Sequence, residues 1–284
     1  MNTPLIDLHV HSSCSDGTFS PAELVSYARE KGLAAFALTD HDTTAGLRDA
    51  FAAAEGTGME IIPGIEFSTE YCGRDIHIVG LDIDFEHPEF VEQLHDFRDS
   101  RNVRNRKMIR RLHEDGFDIS EHQMRESFGD AVWTRAHFAR YLMDHGYVQE
   151  MQEAFLHYVG DHCPYFVPRE KVTPAQAVDL IFRTGGIPIL AHPMQYHLEE
   201  DGIRKLLSIL KEAGLMGAEA IYSTHSASEE ALIRRLCEEL DLLISGGSDF
   251  HGSNKPDIDL GCGRGNLVIP YEIIQQLRDR RTSI

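Results

Sequence analysis

Apolar residues recur along this chain in short aliphatic runs, each closed by a polar residue and followed by an amphipathic stretch that opens on a capping residue. Seven runs read as strands, near residues 5–9, 33–38, 59–63, 76–81, 187–191, 218–222 and 242–246. SPAELVSYAREKG displays the helix grammar between them. Ser20 is the expected N-cap, Pro21 sits in the first turn, Leu24, Tyr27 and Ala28 share a face, and Gly32 is the stop. Repeated βα units predict an α/β protein whose strands wind into a barrel or a strongly wound sheet. The alternation lapses after residue 87. From 88 to 171 helical patterns follow one another, beginning with the arginine-rich FRDSRNVRNRKMIRRLHEDG. The chain therefore divides into a first barrel part (1–87), an all-helical insertion that would cap the substrate (88–171) and a second barrel part (172–284).

Composition narrows the function. The 284 residues suit a single α/β barrel with a substantial core. Lys and Arg number 27 against 46 Asp and Glu, a net charge of −19. Such a surface repels polyanions unless a local basic patch reverses the field, so a long nucleic-acid groove is not expected. The five cysteines are scattered, with no C-x-x-C pair, and suggest neither a disulfide framework nor a thiolate zinc site. A reducing, cytoplasmic setting is expected. No basic-then-apolar leader opens the sequence, and no run approaches the roughly 18 apolar residues of a membrane span.

Chemistry collects where strands end, because the loops there converge on one face. The first strand yields His9 and His11, with Asp16 beyond; TDHD after the second carries Asp40, His41 and Asp42; GIEFS after the third carries Glu66. His77 lies in the fourth strand, His192 closes the fifth in AHP, and Asp249 and His251 follow the seventh in GSDFHG. Each has a plain structural reading. His9 and His11, two apart on a strand, point to one side and could chelate, or be hydrogen-bonded core histidines. Asp16 precedes a glycine and could serve only the turn, Asp42 could cap a helix beginning near Thr44, and His77 and His192 could be satisfied core residues. Together, six imidazoles and three carboxylates are costly to bury without cations. Nitrogen-rich donors without thiolate suit Mn²⁺, Fe²⁺ or Zn²⁺ better than Mg²⁺ or Ca²⁺. Nine ligands are too many for one ion but could serve three if a carboxylate bridges, with metals about 3.5–4 Å apart as in phosphoryl transfer.

Through DLHVHSSCSDGT, TDHD, GIEFS, the His77 strand, AHP and GSDFHG, the chain resembles the polymerase and histidinol phosphatase (PHP) family of metal-dependent phosphoesterases. The resemblance implies a distorted seven-stranded (β/α)7 barrel holding three divalent metal ions. It assigns His9, His11, Glu66 and Asp249 to one, Glu66, His77 and His192 to the second, and Asp16, His41 and His251 to the third, with Glu66 bridging. Asp7 would support them from behind, or be a polar residue at a strand edge. With the seventh strand followed by so little sequence, no polymerase is expected. The helical insertion and the DGT motif resemble the branch that includes nucleoside 3′,5′-bisphosphate phosphatases, 5′-to-3′ exoribonucleases and a cyclic ribose-phosphate dihydrolase.

The expected reaction is removal of the 3′-phosphate from a nucleoside 3′,5′-bisphosphate, extending to short 5′-phosphorylated RNA, by hydroxide shared between metals at Glu66. His225, after the sixth strand, is a candidate proton donor, although Ser226 and Glu229 spell a capping box beside it. Arg135 and His137 resemble substrate contacts of the family. Arg101 and Arg104 stand out from an arginine run otherwise read as a solvated, ion-paired helix face. Alternatives are a cyclic phosphodiesterase, a histidinol phosphatase and a metal- or nucleotide-binding module without turnover. No membrane partner is expected.

Overall fold

The fold, taken from a computed structural model that describes residues 3–168 and 172–283, alternates strand and helix from the start. β1 (Ile6–Val10), α1 (Pro21–Glu30), β2 (Ala35–Leu38) and α2 (Leu47–Ala54) lead to two strands in direct succession, β3 (Glu60–Tyr71) and β4 (Arg74–Leu81). Helices then run without strands: α3 (Pro88–Glu114), α4 (Glu121–Phe128), α5 (Arg135–Asp144) and the short α6 (Met151–Ala154), which continues into a π-helical turn at Phe155–Val159. The boundary expected at residue 171 lies outside the described residues. Alternation resumes with α7 (Pro174–Arg183), β5 (Ile187–Leu190), α8 (Glu200–Glu212), β6 (Gly217–Tyr222), α9 (Ala227–Glu239), β7 (Leu243–Gly247) and α10 (Glu272–Thr282). Among the described residues no helix is long and apolar enough to cross a membrane.

Local chemistry sets these ends. Ser20 caps α1 in a full capping box with Glu23, and Gly32 follows the helix at φ +73°, as the sequence predicts. Thr134, Thr173 and Ser226 cap α5, α7 and α9 in the same reciprocal manner. The helix expected near Thr44 begins instead at Leu47, so Asp42 does not cap it.

The seven strands lie in sequence order and form a nearly closed barrel. β1, β2 and β3 are parallel, as are β5, β6 and β7, but β4 runs against both its neighbours. That reversal is the main departure from repeated βα units. Its cause is the two-residue turn Cys72-Gly73, with φ of 52° and 77°, which joins β3 to β4 as a hairpin. β3, at 12 residues, is consequently more than twice as long as expected and carries Glu66 within it. His77 lies opposite Ser68, one diagonal step from Glu66. Between β1 and β7 the seam is closed by backbone bonds from Asp249 N to His9 O (2.9 Å) and from His11 N to Phe250 O (3.0 Å). Asp7 ties the same seam, accepting from Ser248 N and Gly261 N, each at 2.8 Å.

Strand alternation sorts the apolar residues into two layers. Phe36 and Leu38 pack with helix residues such as Leu24, Leu206 and Ile233, whereas Ala35 and Ala37 join Ile6, Leu8, Ile189 and the Ile274 face of α10. The helical segment has a core of its own, built on Met108, Leu112, Phe138, Tyr141 and Leu142. Backbone contact at the seam is so close that a Cβ on Gly247 would lie 2.2 Å from the Cβ of His9. Gly247→Ala is therefore expected to destabilise the protein by about 2 kcal/mol or more, read as a lower Tm in thermal unfolding.

Candidate metal centre

The TDHD segment divides its labour. Asp40 accepts from Ser12 N (2.7 Å), Ser12 Oγ (2.6 Å) and Ser15 Oγ (2.6 Å), clamping the loop that carries Asp16. His41 turns inward, and Asp42 receives Arg101 Nε of α3 at 2.7 Å. Gly17 is required for space: a Cβ there would stand 2.2 Å from the His11 carbonyl oxygen. Asp42, His192 and Asp249 hold left-handed backbone at φ of 48°, 26° and 58°. Such conformations cost about 1–3 kcal/mol each in residues other than glycine and mark places where surroundings dictate the backbone.

Nine side chains gather at one end of the barrel, around Glu66. Its Oε2 lies 3.2 Å from His9 Nε2, 3.1 Å from His11 Nε2 and 3.1 Å from His41 Nδ1. Its Oε1 lies 2.9 Å from His77 Nδ1 and 3.0 Å from His192 Nε2. Asp249 Oδ1 is 3.3 Å from both His11 Nε2 and His251 Nδ1, and Asp16 Oδ1 is 3.2 Å from His251 Nε2. All nine are buried except His77, which is partly open. The grouping is less divided than expected: His11 stands with Asp16, His41 and His251 as well as with His9 and Glu66.

The donor set suits cations. Glu219 Oε1 lies 2.8 Å from His9 Nδ1, so a proton there leaves the Nε2 lone pair facing the cluster. His11 Nε2 is at once 3.0 Å from His9 Nε2, 3.1 Å from Glu66 and 3.3 Å from Asp249. One proton cannot satisfy three acceptors, whereas a divalent ion among them could.

Burial pushes Asp16, Glu66 and Asp249 upward in pKa, but the surrounding charges prevail and hold all three well below the usual carboxylate range; His41 leads for Asp16 and Glu66, Lys255 for Asp249. For His9 and His11 burial acts downward and the carboxylates overcome it, lifting His9 well above its ordinary value and His11 to about 9. Burial dominates at His41, His192 and His251, which shift down.

Over this cluster opens a cavity of about 720 Å³, walled on its far side by the helical segment and lined by Arg101, Arg104 and Arg135. Arg101 also donates to Ser68 Oγ (2.7 Å), and Arg104 Nε to Asn105 Oδ1 (3.0 Å). The guanidinium of Arg135 is engaged by Asp75 (3.0 Å) and Asp161 (2.6 Å), so its fork is already occupied by carboxylates. His137 is off this wall. Its Nδ1 accepts from Thr134 N at 2.9 Å, and burial lowers its pKa to about 4, which keeps it a neutral helix cap. His225 also falls outside the lining: its Nδ1 bonds Ala220 O at 3.0 Å, and the neighbouring capping box forms as its residues spell.

Four participants escaped the sequence reading. Glu219 holds both His9 and, through Oε2, the backbone N of His192 (2.7 Å). Tyr222 Oη and Lys255 Nζ each lie 2.6 Å from Asp249 Oδ2, and Thr134 Oγ1 donates to Asp16 Oδ2 at 2.7 Å. Only Glu219 left a signal, a lone carboxylate inside the otherwise apolar strand GAEAIY.

A family model for the PHP domain matches residues 7–160. A 5′-3′ exoribonuclease of Haemophilus influenzae is 38% identical over 249 residues, 88% of this chain and 90% of the relative. A 3′,5′-nucleoside bisphosphate phosphatase of Chromobacterium violaceum is 34% identical over 257 residues, 90% of each chain. Among solved structures, an amidohydrolase from Chromobacterium violaceum with bound sulfate and no metal superposes with a TM-score of 0.86 at 32% identity, over 97% of this chain and 96% of that one.

Two outcomes follow for metal uptake. Because His9 and His11 hold protons above their ordinary pKa, an entering ion displaces them, and Mn²⁺ affinity is expected to rise with pH through the range in which His11 gives up its proton, centred at about 9. Calorimetric titrations at pH 6, 7.5 and 9 would record it, together with proton release. Glu219→Gln weakens the hold on His9 and is expected to lower metal affinity about 10–100-fold, measured by metal content after dialysis.

Proposed function

This chain belongs to the PHP domain family, and on that footing we propose that it removes the 3′-phosphate from nucleoside 3′,5′-bisphosphates and degrades short 5′-phosphorylated RNA. As a family member it is a metal-dependent phosphoric ester hydrolase. The observation that carries the finer reading is the cavity itself, lined by seven of the nine metal-type donors (Asp16, His41, Glu66, His77, His192, Asp249 and His251) together with Arg101, Arg104 and Lys255. That arrangement offers an ester two charged contacts at once, which a substrate with phosphates on both sides of a ribose can use. The relatives named as a bisphosphate phosphatase and an exoribonuclease support the same class. Its free, scattered cysteines accord with a cytoplasmic setting.

His9, His11, Asp16, His41, Glu66, His77, His192, Asp249 and His251 would hold three divalent ions, with Mn²⁺ first in suitability and Fe²⁺ or Zn²⁺ compatible with the same donors. Such ions supply Lewis acidity and lower the pKa of water towards about 7. The chain's own residues do the rest. Tyr222 and Lys255 fix one oxygen of Asp249 and leave the other facing the cluster. Glu219 orients His9, and Thr134 does the same for Asp16. Arg101 and Arg104 bind the substrate's second phosphate. Lys255, on the cavity wall where His225 is not, is the group placed to steady charge on the departing oxygen.

Protein reconstituted with Mn²⁺ is expected to convert adenosine 3′,5′-bisphosphate to AMP and phosphate and to leave a cyclic ribose phosphate intact. Asp249→Asn should lower turnover at least about 100-fold. Arg104→Ala should raise KM for the bisphosphate with a smaller change in kcat. Phosphate release and nucleotide chromatography measure all three. Cleavage of the cyclic ester in preference to the bisphosphate would reverse the reading.

A further inference from the structure

Helix α3 has a second polar face. Beside the face that brings Arg101 and Arg104 to the catalytic cavity, Arg98, Asn102 and Arg106 line a separate cleft of about 410 Å³. Their four-residue spacing sets them one above another, about 12 Å from first to last. Across the cleft, the Arg125 guanidinium lies 5.9 Å from the centre of the Trp133 ring.

The sequence reading takes this arginine run for an ion-paired, solvated face. The structure pairs Arg125 with Asp130 (2.9 Å), but Arg98 and Arg106 are exposed and make no ion pair among the described residues. Glu121 is the other acid on the wall, so three guanidiniums face two carboxylates in a chain of net charge −19. Trp133 itself lines the cleft, and its buried indole Nε1 has no hydrogen-bond partner.

The two clefts adjoin α3, where neighbouring residues turn to different clefts. Arg104, on the catalytic side, donates to Asn105 Oδ1 at 3.0 Å, and Asn105 Nδ2 donates to the Trp133 carbonyl at 3.0 Å. Trp133 faces the second cleft and the next residue, Thr134, faces the first.

We propose that this cleft is a second nucleotide site, taking phosphate on Arg98 and Arg106 and a base against Trp133. Its occupant is a downstream nucleotide of a short RNA whose 5′ end sits in the catalytic cavity. The proposal rests on the function given above. Arginine and a single aromatic ring are the elements by which single strands are held without sequence preference, and a short, local patch of them is what a strongly acidic surface permits.

The test uses the full chain with Arg98→Glu/Arg106→Glu, and Arg98→Gln/Arg106→Gln as a milder pair, each checked for an unchanged Tm. The probe is a 5′-phosphorylated pentaadenylate with a 3′ fluorophore, read by anisotropy. Its Kd should weaken on the order of tenfold, and the slope of log Kd against log salt should fall by about 1.4. Hydrolysis of adenosine 3′,5′-bisphosphate should stay within about twofold. Unchanged pentanucleotide affinity and salt slope would overturn the site. Binding of free AMP that the glutamine pair abolishes, with pentanucleotide affinity intact, would overturn the tethered occupant in favour of a free nucleotide. Should the Mn²⁺-loaded protein hydrolyse neither substrate, the function above fails, while anisotropy still judges the cleft by itself.

Discussion

Three carboxylates buried together at one end of a barrel repel one another and have lost their water, and the rest of the molecule answers that constraint. Glu66 is the centre of the answer, with five imidazole nitrogens within 3.2 Å of its two oxygens. Imidazoles are suited to the task because they compensate charge when protonated and offer lone pairs to a cation when not. The same ring can thus balance the carboxylates without metal and offer a donor to a cation. The hairpin reversal of β4 belongs to this logic: only a strand running back beside β3 brings His77 to the outer oxygen of Glu66.

Outward from the centre, several of the clustered side chains and the loops that carry them are fixed by polar groups of neighbouring segments. Glu219 orients His9, Asp40 clamps the loop of Asp16, and Asp7 stitches β1 to the segment carrying Asp249. The helical segment takes part as well, since Thr134 caps α5 and donates to Asp16 with the same hydroxyl. One atom therefore ties the position of the cap to the geometry of a ligand. Arg101, bonded to Asp42 and Ser68, adds a second tie between cap and barrel. A segment with its own apolar core is in this way locked to the barrel by polar contacts concentrated at the site.

Much of this was legible in the sequence, for a physical reason. Residues that meet at a barrel mouth come from successive strand ends, so their order in the chain is their order around the site, and His9, His41, Glu66, His77, His192 and Asp249 could be read off strand by strand. What was not legible depends on contacts between distant segments. Cys72-Gly73 lacks the usual hairpin residues, so the turn that reverses β4 left no mark. Thr134 is joined to Asp16 across 118 positions. Arg135 looked free because its partners, Asp75 and Asp161, lie on other elements. His137 and His225 both lie off the cavity wall: His137 completes the α5 capping box, and His225 stands just before the α9 capping box with its Nδ1 on Ala220 O.

Net charge sets the field in which a phosphorylated substrate would approach the site. With a net charge of −19, long-range attraction of a polyanion is unavailable, and solvent ions screen what field remains within about 8–10 Å. Binding of a phosphorylated substrate must then come from contacts at that range: arginines drawn to the cavity wall, a lysine beside Asp249, and ligands whose own charge is offset by imidazole. A small phosphorylated molecule would fit inside that radius, beside Arg101, Arg104 and Lys255. A long nucleic acid would have to lie along the acidic surface as well, and every further phosphate would add repulsion. On these physical grounds the chain's acidity would disfavour a polyanion that extends beyond the cavity along the acidic surface.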